Sequence, residues 1–291
     1  MDWVILSTTG RLARVDLPGS VWEARAAQEF TRVDHDVLTS AAPSTDGHVG
    51  AVTTTGMAYR ILVEDLPTLA PGGPWSLWDA PEADSLVEAD HVVGLYSLDV
   101  DAPPLALGTK AGVVKRVVPE YKGWESWEVA SIKDGDEIVG VAHAADSSDL
   151  VFITTQAQLL RMSAREVRPQ GRPAGGMAGI KLGEDAEALF FTAISKEDRE
   201  TAIVATLAVG PDAVSTIKTT AFSEYPSKGR ATSGVRTHRF LKGQDHLALG
   251  WVGLPPLRAC SNTGTPRNLP STADRRDGGG TKVYGPFQAF G

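Results

Sequence analysis

Short runs of β-branched and apolar residues, each followed by a polar turn and a second run, recur along the whole chain. The clearest copies occupy residues 4–15, 51–61, 105–117 and 150–161, with a looser copy at 202–218 and a sixth at 258–267. Each copy is typical of a β-hairpin, in which strand-forming residues flank a turn that often contains glycine. Further runs at residues 136–142 and 188–194 predict additional strands.

The turns of these copies lie near positions 10, 56, 112, 157, 210 and 264, so the repeat is 45 to 56 residues long. Strand-rich repeats of about 50 residues are typical of propeller-like discs, in which each unit packs against its neighbours. We therefore predict an all-β, six-bladed β-pinwheel (propeller-like) of four-stranded repeats. We expect residues 1–291 to form one domain, with approximate blades at 1–46, 47–100, 101–145, 146–196, 197–250 and 251–291. Only residues 83–92 predict a short helix.

Composition narrows the class of protein. With 42% hydrophobic and 22% charged residues among 291, the chain is not mainly disordered. A single cysteine, Cys260, excludes an internal disulfide and fits a reducing compartment. The first residues lack the features of a secretory signal, and no apolar run approaches the ~20 residues of a membrane helix. We expect a cytoplasmic protein without a membrane partner.

Charge is distributed unevenly. Residues 1–160 contain 10 Lys or Arg and 24 Asp or Glu, whereas residues 161–291 contain 18 and 12. A basic half within a chain of net charge −8 favours a polyanionic partner for that half. Chance variation of a solvated surface is the alternative that the charge counts alone leave open.

Two segments in the basic half share a pattern. Residues 167–182 and 225–240 both contain Gly-Arg-x-x-x-Gly followed by a basic residue five positions later, and residues 275–282 are a looser version. Glycine permits close backbone approach and positive φ, and the arginine fork grips phosphate oxygens. The candidate phosphate-binding residues are Arg168, Arg172, Lys181, Lys228, Arg230, Arg236, Arg239, Arg275, Arg276 and Lys282.

Other chemistry is weakly supported. Lys115 and Arg116 are weaker candidates for phosphate binding, because their stems can be buried against Trp124 or Trp127. The six histidines are scattered without metal-ligand spacing, and nucleophile elbows, Walker loops and dinucleotide fingerprints are absent in proper context. We expect no metal, no cofactor and no catalytic residue in this chain.

The repeated unit resembles the C-terminal repeats of the A subunit of bacterial type IIA topoisomerases, DNA gyrase and topoisomerase IV. That repeat has a Thr-x-x-Gly hairpin, a basic strand, then Tyr-Pro and a Gly-Arg-x-x-x-Gly-Val loop, and residues 150–182 and 216–236 follow it closely. Residues 113–137 also fit, without a Gly-Arg pair. The resemblance covers nearly the whole chain and is strongest over residues 104–283.

The resemblance implies an accessory domain that binds and bends duplex DNA without sequence specificity and steers the DNA segment for topoisomerisation. The ten candidates would contact DNA phosphates. The implied partners are double-stranded DNA, the catalytic region of the same polypeptide, and the ATPase B subunit of a heterotetramer, in the cytoplasm and associated with the nucleoid. The Gln-Arg-Arg-Gly-Gly-Lys-Gly box of gyrase is absent, so the resemblance favours the topoisomerase IV-like branch.

Two other functions remain open at this point. The first is a β-propeller protein-interaction module that uses the acidic half and exposed tryptophans. The second is a propeller enzyme with a site in its central channel.

Overall fold

A computed structural model of the chain describes residues 1–28, 37–88, 91–118, 123–271 and 275–291. The first strands, numbered in chain order, are β1 (Asp2–Ser7), β2 (Leu12–Asp16), β3 (Leu38–Pro43), β4 (His48–Thr53), β5 (Met57–Leu62), β6 (Thr68–Leu69), β7 (Val92–Tyr96), β8 (Leu105–Thr109), β9 (Val113–Val117), β10 (Ser126–Glu128), β11 (Ile138–His143) and β12 (Asp149–Thr154). The remaining strands are β13 (Gln158–Ser163), β14 (Pro169–Gln170), β15 (Met177–Ala178), β16 (Ala188–Ile194), β17 (Ile203–Val209), β18 (Thr216–Ala221), β19 (Val235–Arg236), β20 (His246–Gly253), β21 (Ala259–Cys260), β22 (Thr281–Lys282) and β23 (Ala289–Phe290).

Within the described residues, these strands form five blades of four or five strands. The strand orders are β3-β1-β2-β6, β7-β4-β5-β10, β11-β8-β9 with β14 and β15, β16-β12-β13-β19, and β20-β17-β18-β22. The middle two strands of each blade are a predicted hairpin. The long strand that ends the same unit, β3, β7, β11, β16 or β20, lies next to the first strand of that hairpin. The runs predicted at residues 136–142 and 188–194 correspond to β11 and β16, which confirms them as strands.

The outer strand of every blade comes from the following unit. β6 follows the hairpin of the second unit but pairs with β2 of the first, and β10, β19 and β22 repeat this exchange along the chain. In the third blade the exchanged segment supplies two short strands, β14 parallel and β15 antiparallel to β9. Each blade is therefore linked to the next by hydrogen bonds of its outer edge as well as by side-chain packing.

The prediction of six four-stranded blades is wrong. In the described part of the sixth unit, β21 pairs only with β23, and an isolated bridge joins Cys260 to Pro266. This unit contains Pro255, Pro256, Pro266 and Pro270, none of which can donate a backbone hydrogen bond to a neighbouring strand. The sixth unit completes the ring as a small two-stranded sheet instead of a blade.

In the part of the chain that the structure describes, two short helices and three 3-10 segments accompany the strands. Helix α2 (Ala83–Val87) lies inside the region where a short helix is predicted, and α1 (Val21–Ala26) is an unpredicted helix whose N-cap Ser20 accepts a hydrogen bond from the Trp22 N–H. The 3-10 segments are Val63–Asp65, Ala164–Glu166 and Phe222–Glu224. No helix in the described ranges is long and apolar enough to cross a membrane.

The hydrophobic core is divided among the gaps between neighbouring units. Between the third and fourth blades, for example, Phe152 packs on Phe191 with ring centroids 4.8 Å apart, and both belong to a cluster that includes Val114. Strands β3, β7, β11, β16 and β20, one from each blade, line a central cavity of about 270 Å³. The ring closes where Arg258 Nη2 of the sixth unit donates to the carbonyls of Arg25 and Gln28, each at 2.8 Å. The exchanged outer strands lie at the opposite edge of each blade from this cavity, on the outside of the ring, which we call the rim.

Candidate nucleic-acid interface

All ten predicted phosphate-binding residues lie on three exchanged segments, residues 164–182, 222–245 and 275–283. These segments form the outer edges of the third, fourth and fifth blades, and we call them together the basic arc. Arg168, Lys181, Lys228, Arg236, Arg239, Arg275 and Lys282 are exposed, and Arg172, Arg230 and Arg276 are partly buried. Because the three blades are consecutive, the predicted residues occupy one continuous part of the rim.

The segments of the basic arc contact one another directly. Arg230 Nη1 donates to the Ala178 carbonyl at 2.7 Å. Backbone hydrogen bonds join Ala231 to Gly179 at 2.7 Å and Lys181 to Thr232 at 2.9 Å. Further along the rim, the N–H of Arg239 donates to the carbonyl of Gly278 at 2.9 Å. The sequence repeat alone does not predict this continuity, since it says nothing of contacts between successive loops.

Register shows which arginines are equivalent. Gly176, Gly234 and Gly280 each precede a short edge strand and have φ of +82°, +73° and +74°. A Cβ on Gly234 would lie 2.1 Å from the Leu159 carbonyl oxygen, and the other two glycines approach the equivalent carbonyls nearly as closely. Counting back four residues places Arg172, Arg230 and Arg276 in the same position of the three loops. The last glycine of the motif is therefore needed for positive φ and for packing on the neighbouring blade.

Two backbone N–H groups that the motif offers to an anion already have acceptors. The Arg230 N–H donates to Glu166 Oε2 at 2.8 Å, and the Arg276 N–H donates to Glu224 Oε2 at 3.2 Å. Each carboxylate comes from the 3-10 segment of the preceding unit. The side chains of the basic arc, and not these two N–H groups, are thus the groups available to an incoming phosphate.

Arg172 is held by an aromatic ring. Its guanidinium carbon lies 4.3 Å from the centroid of Trp124, a residue of the segment that forms the outer edge of the second blade. A guanidinium that lies over an aromatic ring keeps the N–H groups in its own plane free to donate outward. The stack therefore orients Arg172 without excluding an anion.

The strand cations Lys115 and Arg116, the weaker candidates for phosphate binding, are buried. Lys115 and Arg116 are 2% and 1% exposed. Arg116 donates to the carbonyls of Ala164 and Val167 at 2.9 and 3.1 Å, so it fixes the start of the first basic segment. Burial lowers the pKa of Lys115 to about 8. Their position in a strand that is otherwise apolar, Val113–Val117, was the sequence signal for this burial.

Sequence reasoning missed His238, which is 1% exposed beneath the arc. Its Nδ1 lies 2.9 Å from Thr206 Oγ1, and its Nε2 lies 3.1 Å from the Gly279 carbonyl oxygen. A neutral ring that donates from Nε2 to the carbonyl and accepts at Nδ1 satisfies both contacts. Burial lowers the pKa of His238 to about 4, and the nearby charge of Lys218 acts in the same direction. His238 thus joins the fourth-blade edge to the loop of the fifth.

The outer edges of the first two blades have the opposite charge. Residues 63–82 and 123–137, which we call the acidic arc, contain nine Asp or Glu and one Lys. The basic arc contains twelve Lys or Arg and four Asp or Glu. These outer edges therefore form two regions of opposite net charge. Trp78, 55% exposed, lies within the acidic arc, whereas Trp75 is buried.

Comparison with known proteins finds similarity in two of the repeats. Residues 148–196 and 216–248 match the family model described as the DNA gyrase C-terminal domain, β-propeller. Over 204 residues the chain is 28% identical to the gyrase A protein of Mycobacterium leprae, a match that covers 64% of this chain and 14% of that protein. The chain thus spans a minor part of the length of this relative.

Two solved structures share the fold. The C-terminal domain of DNA topoisomerase IV has a TM-score of 0.75 at 18% identity, covering 100% of this chain and 92% of that chain. The DNA gyrase A C-terminal domain has a TM-score of 0.67 at 15% identity, covering 100% and 99%. These findings confirm the resemblance and the all-β propeller-like fold. The expected topoisomerase IV-like branch stays a prediction.

Proposed function

We propose that this chain, whose resemblance to the C-terminal domains of gyrase A and topoisomerase IV is established, binds duplex DNA along the basic arc and bends it. The observation that carries the proposal is the direct hydrogen bonding of successive basic loops into one curved edge. A regular, curved series of cations suits a regular series of phosphates. Contacts of this kind fix the position of the duplex but carry no base sequence information.

Bending follows from the shape of the rim. A duplex that contacts the third, fourth and fifth blades in turn must curve around part of the ring, at a cost of roughly 1–6 kcal/mol for a ~20–30 bp segment bent by 40–90°. Phosphate contacts along the arc offset this cost. The acidic arc repels phosphates, so we expect the path to end there and the duplex to be bent without completing a turn.

In the parent enzyme, the domain would steer a DNA segment for topoisomerisation by a type IIA topoisomerase. The proposed partners are the catalytic region of the same polypeptide, together with the ATPase B subunit, in the cytoplasm at the nucleoid. This part of the proposal rests on the similarity to gyrase A, of which the chain spans a minor part.

The test is fluorescence anisotropy of a labelled duplex of about 40 bp at several salt concentrations. Neutralising ~6–10 phosphates predicts a loss of about 10³–10⁵ in affinity between about 50 and 200 mM salt. The double variant Arg236→Glu and Lys282→Glu reverses two exposed cations at equivalent edge positions of the fourth and fifth blades. We expect it to abolish binding at 100 mM salt.

The matched control is Lys133→Glu with Lys196→Glu, which makes the same charge change at two exposed positions outside the basic arc. We expect a small loss of affinity from the net charge alone. Equal losses in the two double variants would refute the assignment of the basic arc, and no binding by the unaltered chain would refute DNA binding itself.

A further inference from the structure

Two buried lysines occupy the same position in different blades. In the antiparallel hairpins, Lys115 of β9 lies opposite Leu107 and Lys218 of β18 lies opposite Thr206. The residues just before them pair with the edge strand, Val114 with Met177 and Ile217 with Thr281. The two lysines therefore have equivalent places beneath equivalent loops.

Both lysines bind the backbone of an equivalent loop arginine. Lys115 Nζ donates to the Arg172 carbonyl at 2.6 Å and to the Val129 carbonyl at 2.8 Å. Lys218 Nζ donates to the Arg276 carbonyl at 2.8 Å, to the Arg275 carbonyl at 3.2 Å and to Thr220 Oγ1 at 2.6 Å. Hydrogen bonds from an ammonium group are about twice as strong as neutral ones. Each loop arginine is thus tied to a buried cation through its main chain.

The blade between them provides an internal comparison. At the same register position β13 has Leu160, opposite Phe152. The arginine of the loop above it, Arg230, is tied instead by its guanidinium to the Ala178 carbonyl. Its N–H donates to Glu166, as that of Arg276 donates to Glu224. An apolar residue is therefore accommodated at this place in the fold, and a loop without a lysine has its arginine fixed by other contacts.

We infer that Lys115 and Lys218 are positioning residues for DNA binding, each of which fixes the main chain of one loop arginine, Arg172 or Arg276, for phosphate contact. The inference rests on the proposed function. A buried ammonium group cannot itself reach a phosphate, so its effect on DNA must pass through the arginine that it holds. Each lysine should therefore be coupled to its own arginine and not to the other.

Double-mutant cycles on duplex affinity test this coupling. We expect Lys115→Leu to weaken binding about fivefold, the loss expected for one weakened charge-assisted contact. In an Arg172→Ala background it should have no further effect, whereas in an Arg276→Ala background the full loss should remain. Lys218→Leu should have no further effect in the Arg276→Ala background and its full effect in the Arg172→Ala background. Lys196→Leu, an exposed change of the same charge, is the control.

Additive losses in every background, or unchanged affinity in both lysine variants, would overturn the inference while leaving DNA binding intact. Hydrogen exchange supplies a readout that needs no DNA. Lys115→Leu should speed amide exchange at residues 171–176 and leave residues 229–234 unchanged, and uniform acceleration of both loops would overturn the inference. If the unaltered chain binds no DNA, the proposed function fails, and this exchange pattern still decides whether the lysines hold the loops.

Discussion

Acidification should destabilise the fold through His238. Burial holds the pKa of this histidine at about 4 in the folded chain, whereas the ordinary pKa of an exposed histidine is 6.5. Between these values the unfolded chain binds a proton that the folded chain does not, so the free energy of unfolding falls as the pH is lowered from about 6.5 to 4. Each unit of pKa is worth about 1.4 kcal/mol, so the full effect is about 3 kcal/mol, of which about 2 kcal/mol is lost by pH 5.

Urea unfolding followed by tryptophan fluorescence at pH 7 and pH 5 measures the effect. We expect His238→Gln, which keeps a donor for the Gly279 carbonyl, to lose about 2 kcal/mol less than the unaltered chain over this interval. His91→Gln is the control, since His91 is exposed, and it should lose as much as the unaltered chain. His143, whose pKa is also lowered by burial, contributes equally to all three proteins. Equal losses in the unaltered chain and His238→Gln would refute the neutral, buried state of His238.

Two further predictions concern the loops and the DNA path. Gly234→Ala places a Cβ at positive φ against a backbone carbonyl and should cost about 2 kcal/mol or more, seen as a lowered Tm. Gly229→Ala in the same loop has neither constraint, and a Tm as low as that of Gly234→Ala would refute the packing role of the last glycine. When nicked plasmid is religated with the domain bound, we expect a small change in linking number per domain, because the acidic arc interrupts the path; a large positive constrained writhe, as from a full wrap, would contradict that reading.

Local patterns were sufficient to predict the hairpins. Turn glycines such as Gly10, Gly56 and Gly112 have φ near +80°, as tight turns between strands require, and the apolar runs beside them became the buried middle strands. The repeated Gly-Arg motif also indicated one loop in each of the last three units, but it did not show that each loop forms the outer edge of the preceding blade. These features depend on residues that are close in sequence, so a short stretch of sequence is enough to detect them.

Features that depend on pairing between units could not be predicted in this way. Edge strands of two residues, such as Val235–Arg236, have no periodicity to detect, and their partner lies about 75 residues earlier in β13. The incomplete sixth unit was mistaken for a blade because its hairpin resembles the others, although its prolines remove strand donors. His238 and Lys218 were overlooked because their partners, Gly279 and Arg276, are contributed by the next unit.

The path of the duplex around the rim is the most direct test of the central claim. Single cysteines introduced into a Cys260→Ser background can carry an iron chelate that cleaves nearby DNA with hydroxyl radicals. Ser227→Cys and Ser233→Cys label the basic arc, and Thr68→Cys and Ser126→Cys label the acidic arc, all at exposed positions. We predict cleavage of a bound duplex from the first pair alone. Cleavage of equal strength from Thr68→Cys and Ser126→Cys would contradict the account.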